Sequence, residues 1–203
     1  MYVYTIYLFT DGAIRNAGNK NKKKSVRGCA GGLIVDPNTG EEDPYHFNFK
    51  NVTILEMELY AVLYGLLNIH NQYINGQIPV DKLVVRVFVD NKSVMMGLDV
   101  WSHNWLSNNF KTNLGNDIKH QKLWKIAISL YYQSQGQYTT LVQWLKSHVT
   151  IDHPQTDEDY YHIYNNKVDA DLKRYIDSHE PTEDLNLDEV LDKIIDLRRL
   201  EEV

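Results

Sequence analysis

Four carboxylates lie at points where a folded chain could bring them together. They are Asp11 at the end of the first predicted strand, Asp90 at the end of the fourth, Glu58 on the first helix and Asp169 where the helix after the fifth strand opens. Carboxylates a few ångströms apart raise one another's pKa unless cations lie between them. Oxygen ligands favour Mg²⁺ or Mn²⁺ over Zn²⁺, so the pattern predicts a magnesium site. Two such ions about 4 Å apart would stabilise the attacking and the leaving oxygens of a phosphoryl displacement.

Each of these acids also has an ordinary explanation. Asp is a common turn residue at strand ends, and the chain has 27 acidic residues. Glu58 is more informative, because Met57 and Leu59 flank it in a helix whose other spaced positions are apolar. The acids suggest a site, and the surrounding elements decide whether they can meet.

Those elements follow from hydrophobic periodicity. Alternating or continuously apolar segments predict five strands, near residues 2–9, 29–35, 45–49, 83–89 and 140–145. Helical spacing predicts a first helix with Thr53 as its N-cap and Glu56 in a capping box, and later helices over 119–135, 165–176 and 187–197. This order predicts an α/β fold with a five-stranded mixed sheet, in which three antiparallel strands precede parallel strands and helices cover both faces.

Composition excludes several classes of protein. Hydrophobic residues make up 43% of the chain, which is enough for a packed core. The lone cysteine, Cys29, can form neither an internal disulfide nor a thiolate zinc site. No apolar stretch approaches the roughly 20 residues of a membrane span, and the N-terminus lacks a signal-peptide pattern. We therefore expect a cytoplasmic monomer without a membrane partner.

The net charge of −6 is unevenly distributed. Residues 177–203 carry a net charge of −7, whereas residues 1–176 carry +1. We predict one domain over residues 1–178 and an acidic extension over 179–203, whose amphipathic helix packs on the body or contacts a partner protein. Lys22, Lys23 and Lys24 belong to a basic loop, which is either a solvated loop or a site for phosphates.

The motifs around the acids resemble type 1 ribonuclease H, the nuclease that cuts the RNA strand of RNA–DNA hybrids. The resemblance runs from about residue 4 to about residue 175, so residues 1–178 would be a ribonuclease H-like catalytic domain. In chain order, it is carried by Phe9-Thr10-Asp11-Gly12-Ala13, Gly28-Cys29-Ala30-Gly31-Gly32, Met57-Glu58-Leu59-Tyr60-Ala61, Val89-Asp90-Asn91-Lys92-Ser93, Leu123-Trp124, Trp144-Leu145-Lys146-Ser147-His148 and Asn166-Lys167-Val168-Asp169.

The resemblance implies magnesium-dependent hydrolysis that leaves 5′-phosphate and 3′-hydroxyl ends. It implies that Asp11 bridges two metal ions and that Asp169 shares the ion that activates the water. Glu58 and Asp90 would hold the other ion. His148 matches the family's mobile histidine, which assists proton transfer or product release and can change charge near neutral pH.

The resemblance also implies contacts with the hybrid. The family binds through loop amides near Gly12, a polar residue at the position of Asn16, and an aromatic, basic protrusion. Here the protrusion contains Trp101, Trp105 and Lys111, although the tryptophans could instead pack in the core. Lys22, Lys23 and Lys24 would contact phosphates of the hybrid.

Two departures from the family pattern leave alternatives open. The loop from residue 148 to residue 169 is longer than usual and contains a second candidate histidine, His153. Ile54 and Leu55 stand where the family carries polar residues that contact the 2′-hydroxyls of RNA. A DNA-directed nuclease of the same fold, such as a junction resolvase or an integrase, and a catalytically silent hybrid-binding module are therefore alternatives to a hybrid endonuclease.

Overall fold

The computed structural model of the chain describes residues 3–17, 25–78, 82–181, 183–184 and 186. Two features predicted from the sequence fall outside these residues. They are the basic loop that contains Lys22, Lys23 and Lys24, and the amphipathic helix over residues 187–197. Within the described ranges, no helix is both long and apolar enough to cross a membrane.

A mixed β-sheet forms the centre of the protein. Its strands are β1 (Tyr4–Ala17), β2 (Ser25–Asp36), β3 (Glu41–Lys50), β4 (Leu83–Val89), β5 (Thr139–Trp144) and the two-residue β6 (Glu183–Asp184). They lie in the order β5-β4-β1-β2-β3-β6. β1, β2 and β3 pair antiparallel, whereas β4 pairs parallel with β1 and β5 parallel with β4. The predicted five-stranded mixed sheet is confirmed, and β6 adds a short parallel strand beside β3.

Helices cover both faces of the sheet, as predicted. They are α1 (Ile54–Ile74), α2 (Lys92–Met96), α3 (Ser102–Ser107), α4 (Gln121–Gln137) and α5 (Asp157–Ser178), with a π-helical turn over Gly97–Trp101 between α2 and α3. Successive residues of a strand point to opposite faces. Leu8 accordingly packs in a core with residues of α1 and α4, and Phe9 packs in a second core with residues of α5.

The start of α1 is fixed by the predicted capping box. The Thr53 side chain accepts a hydrogen bond from the Glu56 amide, and the Glu56 carboxylate accepts one from the Thr53 amide, with 2.8 Å between the atoms. These bonds satisfy two amides that the first turn of a helix leaves without partners. Glu58 lies two residues later, so the cap also fixes where this carboxylate stands along the helix.

Two predicted boundaries are wrong, and both affect the site. β1 does not end at Asp11 and Gly12 but continues to Ala17, because β2 pairs with it along its whole second half. α5 begins at Asp157, well before residue 165, because Thr156 and Asp159 form a second capping box within a segment that has little hydrophobic periodicity. Asp11 therefore lies inside a strand. Asp169 lies in the middle of α5 and does not open it.

The approach of α1 to the sheet depends on Gly12. A Cβ atom at this position would lie 2.7 Å from the Glu58 amide nitrogen and 3.0 Å from the Met57 Cβ. A carbon atom cannot come so close to backbone without displacing it. Gly12 thus allows α1 to bring Glu58 down onto β1.

We expect Gly12→Ala to destabilise the protein by about 1–3 kcal/mol, because the added methyl group must push α1 away from β1. Urea denaturation followed by circular dichroism measures the change. Gly136→Ala is the matched control, because no atom lies within 4 Å of a Cβ at that helical position. The control should be neutral or slightly stabilising, and equal effects of the two substitutions would contradict the steric argument.

Candidate metal centre

Three carboxylates meet where β1, β4 and α1 come together. Each of Asp11, Glu58 and Asp90 offers an oxygen atom, and these atoms lie within 4.8 Å of one another. The pairing of β1 with β4 sets Thr10 opposite Val89, so the aspartates that follow them are neighbours. The first turns of α1 add Glu58. We call these three residues the carboxylate trio.

Burial and repulsion from neighbouring carboxylates raise the pKa of each member of the trio. Burial, followed by the charge of Asp90, raises the pKa of Asp11 to about 8, although the Gly12 amide donates a hydrogen bond to its Oδ1 at 2.7 Å. Burial, followed by the charges of the two aspartates, raises the pKa of Glu58 well above its ordinary value. Burial and then the charge of Asp169 raise the pKa of Asp90. At neutral pH the trio therefore retains at least the Asp11 proton unless a cation replaces it.

The donor set fits a hard divalent cation. Glu58 is only 4% exposed, and its buried Oε2 has no hydrogen-bond partner among the described residues. A buried polar atom without a hydrogen-bond partner lowers the stability of the folded state by about 1–3 kcal/mol. A coordinated ion would offset this loss. The trio offers oxygen ligands alone, and such a set suits Mg²⁺ or Mn²⁺ better than Zn²⁺.

Asp169 lies beside the trio on α5. Its charge raises the pKa of Asp11 and of Asp90, so the four carboxylates interact electrostatically. Asp169 is not, however, one of the three residues whose oxygens lie within 4.8 Å of one another. Its Oδ2 instead contacts two basic groups, the Lys173 Nζ at 2.6 Å and the His148 Nδ1 at 3.7 Å. An ion shared by Asp169 and the trio would compete with the Lys173 ammonium for this oxygen.

His148 stands at the rim of the centre. Its side chain is 68% exposed, and its backbone has a φ of 55°, a left-handed conformation that few residues other than glycine adopt. His153 is also exposed, in the same loop before α5. His148 is the histidine whose ring faces Asp169, which makes it the better placed of the two candidates.

The predicted protrusion residues occupy different environments. The ring of Trp105 lies 5.0 Å from that of Trp124 and packs against the core, in agreement with the core-packing alternative. Trp101 is 37% exposed, and its ring contacts that of Trp105, with 5.6 Å between the ring centroids. Lys111 forms an exposed ion pair with Asp117, with 2.6 Å between Nζ and Oδ1. Trp101 and Lys111 are thus the members of this set that solvent, or a ligand, can reach.

The remaining predicted contacts lie along β1 and its hairpin. Gly12 is buried against α1. Asn16 pairs with Val26 of β2 four residues beyond Gly12, and its side chain lies outside the described part of the structure. Lys22, Lys23 and Lys24 lie outside it entirely.

Two neighbours of the centre were not predicted from the sequence. Lys173 follows Asp169 by four residues on a helix, and this spacing for an ion pair could have revealed it. The indole N–H of Trp144 donates a hydrogen bond to the backbone carbonyl of Asp90 at 2.8 Å. Sequence spacing carries no signal for the second contact, because it arises from the register between β4 and β5.

The raised pKa of Asp11 predicts how stability depends on pH. Its ordinary value is 3.8 and its value in the folded protein about 8, so the folded state binds this proton more tightly. The corresponding stability is fully present below about pH 4 and is lost as the pH rises through about 8. We expect the melting temperature of metal-free Asp11→Asn to exceed that of the wild type by an amount that grows over this range, at about 2–4 °C for each kcal/mol.

Thermal melts in EDTA between about pH 5 and pH 9 test this expectation. The matched control is Asp152→Asn, an amide substitution at an exposed position, which should follow the wild-type profile. A constant difference between Asp11→Asn and the wild type at every pH would show that the Asp11 carboxylate is not responsible.

The sequence of this chain matches a known protein family. The family model described as RNase H matches residues 4–172. Ribonuclease HI of Neisseria meningitidis serogroup A is 30% identical over 145 residues, which cover 71% of this chain and 83% of that protein.

Solved structures share the fold at low sequence identity. The protease–reverse transcriptase of prototype foamy virus matches 85% of this chain with a TM-score of 0.61 and 18% identity, but the match covers only 21% of the viral chain. LC11-RNase H1, in complex with an RNA/DNA hybrid, matches 85% of this chain and 96% of its own with a TM-score of 0.50 and 14% identity. Because the family model and the Neisseria relative both cover more than two thirds of the sequence, the chain belongs to the RNase H family of ribonucleases.

Proposed function

We propose that this protein hydrolyses the RNA strand of RNA–DNA hybrids with two Mg²⁺ ions and leaves 5′-phosphate and 3′-hydroxyl ends. The observation that carries the proposal is the carboxylate trio, in which Asp11 and Glu58 are buried, beside Asp169 in a chain of the RNase H family. A charged cluster of this kind is unstable without cations, and a pair of hard cations is suited to phosphodiester displacement.

Asp11, Glu58, Asp90 and Asp169 would hold the ions. Magnesium, when bound, supplies positive charge beside the phosphate and lowers the pKa of the attacking water. The fold of the chain fixes the positions of these carboxylate ligands. Asp11 stands inside β1, paired with Gly31 of β2 and directly after the last residue that pairs with β4. Glu58 stands in the first turns of a capped helix, and Asp90 directly follows a buried strand. Ligands fixed in this way need little rearrangement during the reaction.

His148 is suited to proton transfer at the edge of the centre. Its ring contacts the Asp169 carboxylate at 3.7 Å and is largely open to solvent. An imidazole can accept or release a proton near neutral pH, so it can return a proton to the leaving oxygen or assist release of the product. His148 would therefore act as a proton donor or acceptor, with the metal ligands left to the carboxylates.

The hybrid would contact several elements around the centre. Asn16 would contact its backbone from β1 together with amides near Gly12, whereas the amide of Gly12 itself donates to the Asp11 carboxylate. Trp101 offers an exposed aromatic face for stacking, and Lys111 offers a charge for phosphate. The hybrid bound to LC11-RNase H1, a protein of the same fold, supports this choice of substrate.

Ile54 favours a second candidate function. It is 39% exposed at the start of α1, four residues before Glu58, and its side chain cannot hydrogen-bond a 2′-hydroxyl. Since the 2′-hydroxyl distinguishes RNA from DNA, a DNA-directed nuclease of the same fold is the alternative to test.

A cleavage assay on matched duplexes separates the candidates. We expect hydrolysis of the RNA strand of an RNA–DNA hybrid in Mg²⁺, none in EDTA, and none of duplex DNA or duplex RNA. Asp11→Asn should lower the rate at least about a hundredfold, because it removes a charged ligand from the centre. Asp152→Asn, at an exposed position, should cleave as the wild type does.

Each other outcome has a distinct meaning. Cleavage of duplex DNA at a similar rate would favour the DNA-directed alternative, and hybrid binding without cleavage would indicate a silent module. Full activity of Asp11→Asn would refute the assignment of Asp11 as a metal ligand.

The basic loop gives a prediction for binding. If Lys22, Lys23 and Lys24 contact phosphates, their triple substitution by alanine should weaken hybrid binding and reduce the slope of log K against log salt by up to about three. Binding is measured in the Asp11→Asn background to prevent cleavage. Lys82→Ala, at an exposed position before β4, is the control. An unchanged salt slope in the triple variant would show that the loop does not contact the hybrid.

A further inference from the structure

Trp144 combines an exposed ring with a specific hydrogen bond at the centre. It is the last residue of β5 and is 41% exposed. Its indole N–H donates to the backbone carbonyl of Asp90, with 2.8 Å between Nε1 and the oxygen. The ammonium of Lys92 lies 5.7 Å from the centroid of the Trp144 ring, within range of a cation–π contact. One side chain thus contacts two residues of the segment that carries a member of the trio.

The hydrogen bond is made where strand pairing ends. β4 pairs with β1 as far as Val89, which lies opposite Thr10, and with β5 as far as the same residue, which lies opposite Trp144. The Leu145 amide donates to the Val89 carbonyl at 2.9 Å. The next carbonyl along the chain belongs to Asp90 and lies beyond the paired part of the strand. The Trp144 side chain supplies a donor for this carbonyl.

Holding this carbonyl restrains the backbone that carries the Asp90 carboxylate. The following residue, Asn91, is held in turn, because its side chain accepts from the Ser93 amide at 3.0 Å as the N-cap of α2. Trp144 and the α2 cap therefore both hold the backbone that directly follows the Asp90 side chain.

We propose that Trp144 is a positioning residue for Asp90, and that its indole N–H holds this carboxylate ready to bind a divalent cation. The proposal rests on the proposed function, because it takes the trio as the metal centre. Trp144 itself contacts neither the cation nor the reacting atoms. Because Trp144 already restrains Asp90, cation binding does not carry the entropic cost of ordering the Asp90 carboxylate.

Trp144→Phe tests the proposal, because it keeps an aromatic ring and removes the donor. We expect the Kd for Mg²⁺, measured by titration calorimetry without nucleic acid, to rise about three- to tenfold, as for the loss of one hydrogen bond to the Asp90 carbonyl. The Mg²⁺ concentration for half-maximal cleavage should rise by the same factor, and saturating Mg²⁺ should restore kcat. Hybrid affinity in EDTA should be unchanged.

Leu141→Ala is the control on the same strand. Leu141 is 50% exposed and lies three residues before Trp144, so its truncation should leave the Mg²⁺ affinity at the wild-type value. Thermal melts of both variants identify any general loss of stability. If Trp144→Phe melts at a lower temperature and yet binds Mg²⁺ like the wild type, Trp144 has a structural role and the proposal is overturned.

The calorimetric result also separates this proposal from the proposed function. If the wild type binds Mg²⁺, Trp144→Phe binds it more weakly and no nucleic acid is cleaved, the positioning role stands and the nuclease assignment fails. If the hybrid is cleaved and the two proteins bind Mg²⁺ equally, the nuclease assignment stands and the positioning role fails. A wild-type protein that binds no Mg²⁺ at millimolar concentration would overturn the positioning role as well.

Discussion

Repulsion between buried carboxylates is the constraint on which the rest of this structure depends. Asp11 and Glu58 are almost fully buried, and Asp90 adjoins them, so the folded chain must hold together groups that favour separation once they ionise. Two structural features hold the carboxylates together against this repulsion. Parallel pairing holds β1 beside β4, and the capping box fixes the start of α1. A cation would turn the same repulsion into a binding energy.

Glycines let the two helices of the centre approach from opposite faces of the sheet. Gly12 admits α1 on one face, and Gly31, which pairs with Asp11, admits α5 on the other. A Cβ at Gly31 would lie 2.7 Å from a methyl carbon of Leu172 on α5. These glycines therefore allow α1 to bring Glu58 to Asp11 from one face of the sheet and α5 to bring Asp169 near it from the other.

Much of the fold could be predicted from the sequence, because hydrophobic periodicity records which face of each element is buried. The five strands, their mixed order and the Thr53 cap all followed from such local patterns. The end of β1 and the start of α5 could not be predicted from such patterns. The pairing of β2 with β1 outweighed the turn preference of Asp11 and Gly12, and α5 begins in a polar segment whose cap is the main local signal. The contact between Trp144 and Asp90 depends on the register between two strands, which local sequence does not encode.

The continuation of β1 beyond Asp11 has a consequence for how the chain can vary. Six further residues of this strand remain paired with β2, up to Ala17 opposite Ser25, before the hairpin connection over residues 18–24. These six paired residues separate Asp11 from residues 18–24. Insertions, deletions or changes of charge in residues 18–24 can therefore occur while Asp11 keeps its register. The fold thus separates the part of the chain that can diversify from the part that cannot.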